Sequence, residues 1–311
     1  MRILLAEPRG FCAGVERAIE IVETALGRHG APIYVHHDIV HNRQVVQSFR
    51  ERGVVFVEEI RNVPPGAVLI FSAHGVAQAV RTEADGRRLL AIDATCPLVT
   101  KVHREATRFH AQGYEILLIG HRGHPEVVGT MGQLPAGAVH LIETEEDARA
   151  VRVRAPGRVA YLTQTTLNID DVAGIIAVLR GRFPDLAGPT RDDICYATNN
   201  RQAAVKELSR EADLVLVLGS PSSSNSNRLR EVAQECGRRA MLIEGPEDLA
   251  PDAFDGVQTV AITAGASTPE VLVQRVVDHL RRRFGATVET RKVVDEKMHF
   301  PLPPEMQATG R

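Results

Sequence analysis

Short runs rich in Val, Ile and Leu alternate with longer amphipathic stretches along most of the chain. Apolar runs bounded by Gly, Pro and polar residues are typical of buried strands, and the amphipathic stretches predict helices. The predicted strands are RILLAE, APIYVH, GVVFVE, AVLIF, LLAID, EILLIG, AVHLIE, VAYLT, ADLVLVLG, AMLIEG and TVAIT. The predicted helices cover residues 13–28, 98–112, 168–182, 199–211, 224–238 and 268–283. This alternation predicts an α/β protein with mainly parallel sheets.

Many of the predicted strands end in a short polar cluster that leads into a helix. The clusters are PRGFCAG, SAHG, ATCP, HRGHPE, QTT, SPSSSNSN and AGAS. In open α/β sheets, ligands bind at the carboxyl ends of the strands, where helix N-termini also present free N–H groups to anions. We therefore expect these clusters to line one cleft. The stretch FPDLAGPT at 183–190 is the predicted linker.

Length and charge narrow the class of protein. A chain of 311 residues fits two domains or three small α/β units. The 37 Lys and Arg against 39 Asp and Glu leave a net charge of −2, so no long-range positive field favours nucleic acid or an anionic membrane. The apolar runs are far shorter than the roughly 18 residues that span a bilayer, and the N-terminus lacks a signal-type segment. We predict a cytoplasmic protein with no nucleic-acid or membrane partner.

The four cysteines are too few and too scattered for a disulfide framework. Cys12, Cys96 and Cys195 each stand just ahead of a predicted helix, at intervals close to one small α/β unit. A loop thiol beside helix N–H donors is held as thiolate and binds soft metals, whereas the alternative for each is a small buried hydrophobe. No CxxC pair is present, so any metal centre must be assembled from distant segments. Cys236, near a predicted helix end, indicates a packing role.

Several polar side chains of the clusters can donate hydrogen bonds to phosphate oxygens. They are His41, His74, His121, His124, Thr166, Ser223, Ser224, Asn225 and Ser267. The alternatives are structural histidines and a polar loop that caps a helix. Glu126, at a helix start, is either a first-turn acid favoured by the helix dipole or a proton donor in a half-buried cleft.

Familiar catalytic signatures are absent from the sequence. GxxxxGK[ST] and GxGxxG after a strand do not occur, which argues against a phosphate-cradling loop or an ordinary dinucleotide site. HExxH and GxSxG do not occur either. Reducing or binding chemistry must therefore come from the polar clusters.

At these clusters the sequence resembles the 4-hydroxy-3-methylbut-2-enyl diphosphate reductase (LytB/IspH) family. The shared motifs, in family order, are GFCAGVERAI, HNRQVV, FSAHGV, DATCPLVTKVH, GHRGHPEVVGTMGQ, QTTL, DICYATNNRQ, GSPSSSNSNRL and ITAGAST. They cover the chain from about residue 10 to 270, and the tail VVDEKMHFPLPPEM is similar as well.

The resemblance implies three small α/β units in a pseudo-threefold arrangement around a central cleft. The expected units are residues 1–96, with the tail 285–311 packing back on it, then 97–193 and 194–284. It also implies an iron–sulfur oxidoreductase of isoprenoid biosynthesis, acting in the last step of the methylerythritol phosphate pathway. Its substrate is an allylic hydroxy diphosphate, and its products are isopentenyl and dimethylallyl diphosphate.

The resemblance also assigns roles to residues. Cys12, Cys96 and Cys195 match the ligands of a [4Fe–4S] cluster whose fourth iron is open to substrate. Glu126 and Thr165 fall on the proton-delivery motifs. The diphosphate-binding motifs contain His41, His74, His124, Ser223, Ser224, Asn225 and Ser267. Because no nucleotide motif is present, we expect electrons one at a time from a ferredoxin or flavodoxin.

Two alternatives share three distant cysteines around one open iron. The first is a non-redox iron–sulfur lyase or condensing enzyme of the quinolinate synthase kind, which reductant-dependent product formation would exclude. The second is a cluster-bearing redox sensor without catalysis. A sensor does not need Glu126, so loss of catalysis on replacing that residue would exclude it.

Overall fold

A computed structural model describes residues 1–307, which form twelve strands and ten α-helices. The strands are β1 (Arg2–Glu7), β2 (Ile33–His36), β3 (Val54–Val57), β4 (Val68–Phe71), β5 (Leu90–Asp93), β6 (Glu115–Ile119), β7 (Val139–Ile142), β8 (Val159–Thr163), β9 (Leu214–Leu218), β10 (Arg239–Ile243), β11 (Thr259–Ala264) and β12 (Thr287–Lys292). The helices are α1 (Ala13–His29), α2 (Arg43–Glu51), α3 (Gln78–Gly86), α4 (Pro97–Ala111), α5 (Pro125–Met131), α6 (Glu145–Ala150), α7 (Ile169–Arg182), α8 (Tyr196–Leu208), α9 (Ser224–Glu235) and α10 (Glu270–Phe284).

The described chain divides into two compact units. The first contains a five-stranded sheet in the order β10-β9-β11-β1-β12, and the second contains sheets in the orders β3-β2-β4-β5 and β7-β6-β8. Every pairing within these three sheets is parallel. The first unit comprises Met1–Val15, His41–Val45 and Tyr196–His299, and the second comprises Glu16–Val40, Val46–Cys195 and the segment from Phe300.

Strand β9 shows why its sequence is one continuous apolar run. Leu214, Leu216 and Leu218 pack in the cluster that includes α10, while Val215 and Val217 pack on the opposite face against α8 and α9. Successive side chains of a strand point to opposite faces, and a parallel sheet covered by helices on both faces needs apolar residues at every position. The five consecutive apolar residues are therefore the pattern of a central strand.

The three-stranded sheet of the second unit is built in the same way. Leu117 and Ile119 of β6 pack in the cluster that includes α7, whereas Ile116 and Leu118 pack in the one that includes α4. Helices therefore cover both faces, and polar groups are left to the strand ends.

The predicted α/β class and parallel sheets are confirmed, and the predicted strands all form. Helix α8 begins at Tyr196 rather than at residue 199. Strand β12 was not predicted because its sequence, TVETRK, is mostly polar. Its position at the edge of the five-stranded sheet explains this composition, since an edge strand is less buried than a central one. The short helices α2, α3, α5 and α6 also lie outside the six predicted helix ranges.

Strand β1 pairs with β11 and β12, so residues 2–7 share a sheet with a strand of the predicted third unit and with a strand of the C-terminal tail. Two sequence-based interpretations need correction. The predicted linker is not free chain, because Ala187 exchanges backbone hydrogen bonds with Val159 and Tyr161 of β8, each 2.9 Å long. Cys236 is exposed at the C-terminal end of α9, so a packing role is wrong for it. The boundaries of the three units stay predictions.

Within residues 1–307, no helix is long and apolar enough to cross a membrane.

Replacing Leu216 with Ala tests the two-sided core of the five-stranded sheet. Leu216 is 0% exposed, and truncating a fully buried Leu costs about 2–5 kcal/mol of unfolding free energy. Urea denaturation followed by circular dichroism measures the change. The matched control is Leu90→Ala in β5, where the side chain is 49% exposed. A loss at Leu216 no larger than at Leu90 would contradict the proposed packing.

Candidate active site

The loop after β1 carries Cys12 in the first unit. The backbone N–H of Gly10 donates to the carbonyl of Ala264 at 3.1 Å, and that of Cys12 donates to the carbonyl of Ala266 at 3.2 Å. Cys12 is the residue immediately before α1. Burial raises the pKa of its thiol, while Arg201 and the backbone N–H groups of Gly14 and Val15 lower it. The net effect is a raised pKa, so the helix N-terminus and the arginine offset only part of the cost of burial.

Asn225 joins the loops that follow β9 and β11. Its side-chain oxygen accepts a hydrogen bond from the backbone N–H of Ala266 at 2.9 Å, and Ala266 is also the acceptor for Cys12. The hydroxyl of Ser267 donates to the carbonyl of His41 at 2.9 Å. Four sequence-predicted residues thus lie together in the first unit: Cys12 and Ser267 from loops, Asn225 from the start of α9, and His41 from the segment before α2.

Ser223 and Ser224 begin α9 at the end of the same sheet. The Ser223 hydroxyl accepts a hydrogen bond from the backbone N–H of Ser226 at 3.3 Å and so caps the helix, and Ser224 is half-buried. A Cβ at Gly219 or at Gly265 would collide with the Ser226 hydroxyl. Glycine is therefore required at the ends of β9 and β11 for this helix to start so close to the sheet.

Arg201 in α8 is a residue of this region that sequence reasoning missed. Its side chain is 0% exposed and donates to the carbonyl of Gly10 at 2.7 Å and to that of Phe11 at 3.3 Å. It also pairs with Glu296 of the C-terminal tail at 3.0 Å. A buried guanidinium with a paired charge is stable only where such partners surround it. The pair fixes the loop that carries Cys12, and only tertiary contact shows it.

In the second unit, Glu126 and Thr165 form a closely bonded pair. The Glu126 carboxylate accepts the backbone N–H of Thr165 at 2.7 Å and the Thr165 hydroxyl at 2.9 Å. The carbonyl of Thr165 accepts the backbone N–H of Cys195 at 3.0 Å. Glu126 is 3% exposed, and this burial raises its pKa to about 7, against the lowering effect of the Thr165 hydrogen bonds. A carboxyl with that pKa still holds a proton in a good fraction of molecules at neutral pH.

His124 and His74 lie near this pair. His124 precedes α5, and its Nδ1 accepts the backbone N–H of Glu126 at 3.2 Å. In the neutral ring this acceptor role places the proton on Nε2, which can then donate to an anion. The rings of His74 and His124 meet edge to face, with centroids 6.0 Å apart. Nδ1 of His74 lies 3.3 Å from the hydroxyl of Ser72.

Gln164 and Thr166 flank Thr165 in the loop after β8. The Gln164 side chain accepts the backbone N–H of His121 at 3.0 Å and donates to the Thr166 hydroxyl at 2.9 Å. Through these contacts Gln164 connects the loop after β8 to the loop after β6, which contains His121. The Thr166 hydroxyl accepts a hydrogen bond from Gln164 and so helps to orient that side chain.

Cys96 lies at the junction of β5 and α4. Its backbone N–H donates to the carbonyl of Ala73 at 2.9 Å, which ties it to the loop that carries His74. It is half-buried and is the residue before the first helical position, Pro97.

An ion pair between Lys101 and Asp193 is a second feature that sequence reasoning missed. Lys101, in α4, lies 2.9 Å from a fully buried carboxylate oxygen of Asp193 and also donates to the carbonyls of Arg191 and Asp192. The other Asp193 oxygen accepts the backbone N–H of Thr163 at 3.0 Å. The pair thus ties the helix that follows Cys96 to the segment that precedes Cys195. The sequence carries no signal for it, because the two residues are far apart in the chain.

The three predicted ligand cysteines share one feature that favours thiolates. Each of Cys12, Cys96 and Cys195 directly precedes a helix, where the positive end of the helix dipole favours a negative sulfur. None forms a disulfide. Cys236, by contrast, lies at the C-terminal end of a helix. Among residues 1–307, no three His, Cys, Asp or Glu side chains form a group placed to hold a metal ion. The support for the ligand set is therefore local to each cysteine.

The chain is similar to one protein family over most of its length. A family model described as LytB protein matches residues 3–281. A 4-hydroxy-3-methylbut-2-enyl diphosphate reductase from Bordetella bronchiseptica is 57% identical over 97% of this chain and 92% of that protein. The protein of the same name from Pseudomonas aeruginosa is 55% identical over 99% of both chains.

Two solved structures are also similar. One is the E-1-hydroxy-2-methyl-but-2-enyl-4-diphosphate reductase from Plasmodium falciparum, with a TM-score of 0.96 and 38% identity over 98% of this chain and 96% of that one. The other, an (E)-4-hydroxy-3-methyl-but-2-enyl diphosphate reductase, has a TM-score of 0.65 and 33% identity over 91% of this chain and all of that one.

The raised pKa of Glu126 predicts a pH-dependent contribution to stability. The folded state holds this proton more tightly than the unfolded state, so the contribution is full below about pH 4.5 and is lost as pH rises through about 7. Glu126→Gln removes the titratable group, so the variant does not lose this stability as pH rises. We expect the unfolding free energy of the variant, relative to the unmodified protein, to rise by about 1–3 kcal/mol from pH 5 to pH 8. Urea unfolding at a series of pH values measures it, and a constant difference would contradict the raised pKa.

Proposed function

The chain belongs to the LytB protein family, and we propose on that basis that it reduces (E)-4-hydroxy-3-methylbut-2-enyl diphosphate to isopentenyl and dimethylallyl diphosphate. The observation that carries the proposal is 55–57% identity, over nearly the whole chain, to enzymes that bear the name of this activity. The reaction takes two electrons and two protons. The C–O bond of the allylic alcohol breaks, the hydroxyl leaves as water with one proton, and the allylic carbon takes the other.

The diphosphate is held by hydrogen-bond donors from the polar clusters. Several of them stand at the ends of adjacent parallel strands, and the rings of His74 and His124 lie edge to face, 6.0 Å apart. Each charge-assisted hydrogen bond to a phosphate oxygen contributes about 1.5–3 kcal/mol. The proposed donors are His41, His74, His124, Ser223, Ser224, Asn225 and Ser267.

The resemblance to this family implies an iron–sulfur centre, and we assign its three protein ligands to Cys12, Cys96 and Cys195. When bound, a [4Fe–4S] cluster with an open fourth iron supplies one-electron transfer and a Lewis-acid position for the substrate oxygen. The protein's part is to present three thiolates at helix N-termini. The Arg201–Glu296 and Lys101–Asp193 pairs hold the segments on which Cys12 and Cys195 lie.

Glu126 and Thr165 handle the proton at the leaving hydroxyl. The Thr165 hydroxyl touches one Glu126 oxygen at 2.9 Å, so a proton on that carboxyl can pass through Thr165 to a hydroxyl bound beside it. The backbone N–H of Thr165 holds the other oxygen at 2.7 Å and fixes the orientation of the carboxyl. Burial maintains the proton on Glu126 near neutral pH, which a solvent-exposed glutamate would lose.

The electron donor in this proposal is a ferredoxin or flavodoxin, and the location is the cytoplasm. Two features of the sequence support these proposals: it contains no nucleotide-binding motif for a hydride-donating cofactor, and thiols that bind a cluster must stay reduced. The lyase and the redox sensor gain no support, because the relatives described above are named as reductases.

Single replacement of Cys12, Cys96 or Cys195 with Ser tests the ligand assignment. A hydroxyl is a poor ligand for iron in place of a thiolate, so each variant should lose cluster and activity. Iron and sulfide content and the visible spectrum after anaerobic purification measure the loss. Cys236→Ser is the matched control and should retain both. If Cys236→Ser lost the cluster while Cys195→Ser kept it, the assignment would be wrong.

Glu126→Gln tests proton delivery. The amide keeps the size of the side chain but cannot supply a proton, and general acid catalysis contributes typically 10²- to 10⁴-fold. We expect kcat to fall by about that factor while the dissociation constant for the diphosphate stays close to that of the unmodified enzyme. The assay follows product formation with reduced methyl viologen. Turnover near the unmodified rate would assign the proton to another donor and leave Glu126 as a first-turn acid of α5.

A further inference from the structure

A groove of about 480 Å³ runs along α4 in the second unit, apart from the residues assigned above. One side is the exposed face of α4, and the other is formed by α3 and the end of β5. Residues that line it include Arg81, Asp93, Thr100, His103, Arg104 and Arg108.

The groove carries an excess of positive charge. Arg104 and Arg108 are exposed, and within residues 1–307 neither forms an ion pair. Arg81 pairs with Asp93 at 2.7 Å, so that arginine is already neutralised. The single acid of α4, Glu105, faces Lys101 at 3.6 Å and does not offset the two arginines. On a chain with a net charge of −2, this is a local positive surface.

The floor of the groove borders Cys96. The carboxylate of Asp93 accepts the backbone N–H of Thr95 at 2.9 Å, and Thr95 is the residue before Cys96. The ring of His103 lies against Gly75, where a Cβ would come within 2.7 Å of it and within 3.2 Å of the Thr95 methyl. Burial lowers the pKa of His103 to about 4, so the ring is neutral at pH 7. The His103 ring is therefore uncharged and the Asp93 carboxylate is balanced by Arg81, so the net positive charge of the groove comes from Arg104 and Arg108 on the rim.

We propose that this groove is the docking surface for an acidic one-electron carrier protein. The inference rests on the proposed function, which needs two electrons delivered one at a time. The groove is too long and open for one small anion but can take several carboxylates of a protein surface. A carrier seated on Arg104 and Arg108 stands beside the segment that bears Cys96, which shortens the path to the proposed cluster. Complementary charge also speeds the encounter of the two proteins.

The test is the double variant Arg104→Glu/Arg108→Glu, assayed as cluster-containing enzyme. Reduced ferredoxin and reduced flavodoxin are each titrated as donor at low ionic strength, and photoreduced deazaflavin serves as a small donor that needs no docking. We expect KM for at least one protein donor to rise about tenfold or more. The deazaflavin-driven rate should stay within about twofold, because the groove contains no residue of the substrate site. The matched control, Arg281→Glu/Arg282→Glu on the exposed end of α10, makes the same charge change elsewhere and should leave KM unchanged.

Salt supplies a second readout. The donor KM of the unmodified enzyme should rise as ionic strength approaches 0.15 M, where charges are screened beyond about 8 Å, and the variant should respond less.

If the double Glu variant fails to fold, Arg104→Gln/Arg108→Gln should shift KM in the same direction by a smaller factor. A KM that is unchanged for both protein donors in the groove variant, or raised equally in the control, would overturn the proposal. So would a groove variant that loses affinity for inorganic diphosphate but not for the carriers, since the groove would then be a small-anion site.

Failure of the proposed function gives a different result. The unmodified enzyme would then form no product even with deazaflavin. Docking would still be measured as binding of oxidised flavodoxin or ferredoxin by calorimetry, where the groove variant should bind about tenfold more weakly than the control. Equal binding by both variants would overturn the docking surface whatever the reaction.

Discussion

Every strand pairing in the three sheets of residues 1–307 is parallel, and this constraint decides where the chemistry lies. Helices cover both faces of such sheets, so side chains on the strands are apolar and polar groups are left to the strand ends. Parallel strands all end at the same edge. Cys12, Asn225 and Ser267 follow three neighbouring strands of one sheet, and a single residue, Ala266, hydrogen-bonds two of them. The parallel sheet therefore brings together loops that are distant in sequence. No pattern in the sequence predicts the contacts between them.

Burial sets the protonation state of Glu126, the proposed proton donor. Glu126 is a first-turn acid of a short helix, a position that normally favours the ionised form. Desolvation opposes this and dominates, even with two hydrogen bonds from Thr165 to the carboxylate. The same two bonds orient the group and connect it to the Cys195 segment through the Thr165 carbonyl. A structural acid and a proton donor thus differ only in how much water reaches the carboxyl.

Charge is arranged locally around each proposed thiolate, since the molecule as a whole is close to neutral. Each of the three cysteines lies at a helix N-terminus, whose dipole favours negative charge. The buried Arg201 adds a positive charge that lowers the pKa of Cys12 against the effect of burial. Glu296 balances that arginine, which makes the C-terminal tail part of the support for Cys12. On the exposed face of α4, Arg104 and Arg108 have no such balancing partner among the described residues, and this difference separates a structural arginine from one available to another protein.

The sequence by itself determined the α/β class, the parallel sheets, the cysteines that precede helices and the family, because apolar periodicity and ordered motifs are local properties of a chain. It also indicated Glu126 with Thr165, through the family's motifs. Only the tertiary structure decided that β1 joins the C-terminal sheet, that Ala187 pairs with β8, and that Cys236 is exposed. The Arg201–Glu296 and Lys101–Asp193 pairs belong to the same group, since each joins residues about ninety positions apart. Partners that distant leave no pattern in a single sequence, and burial, which sets the pKa of Glu126, exists only once the chain has folded.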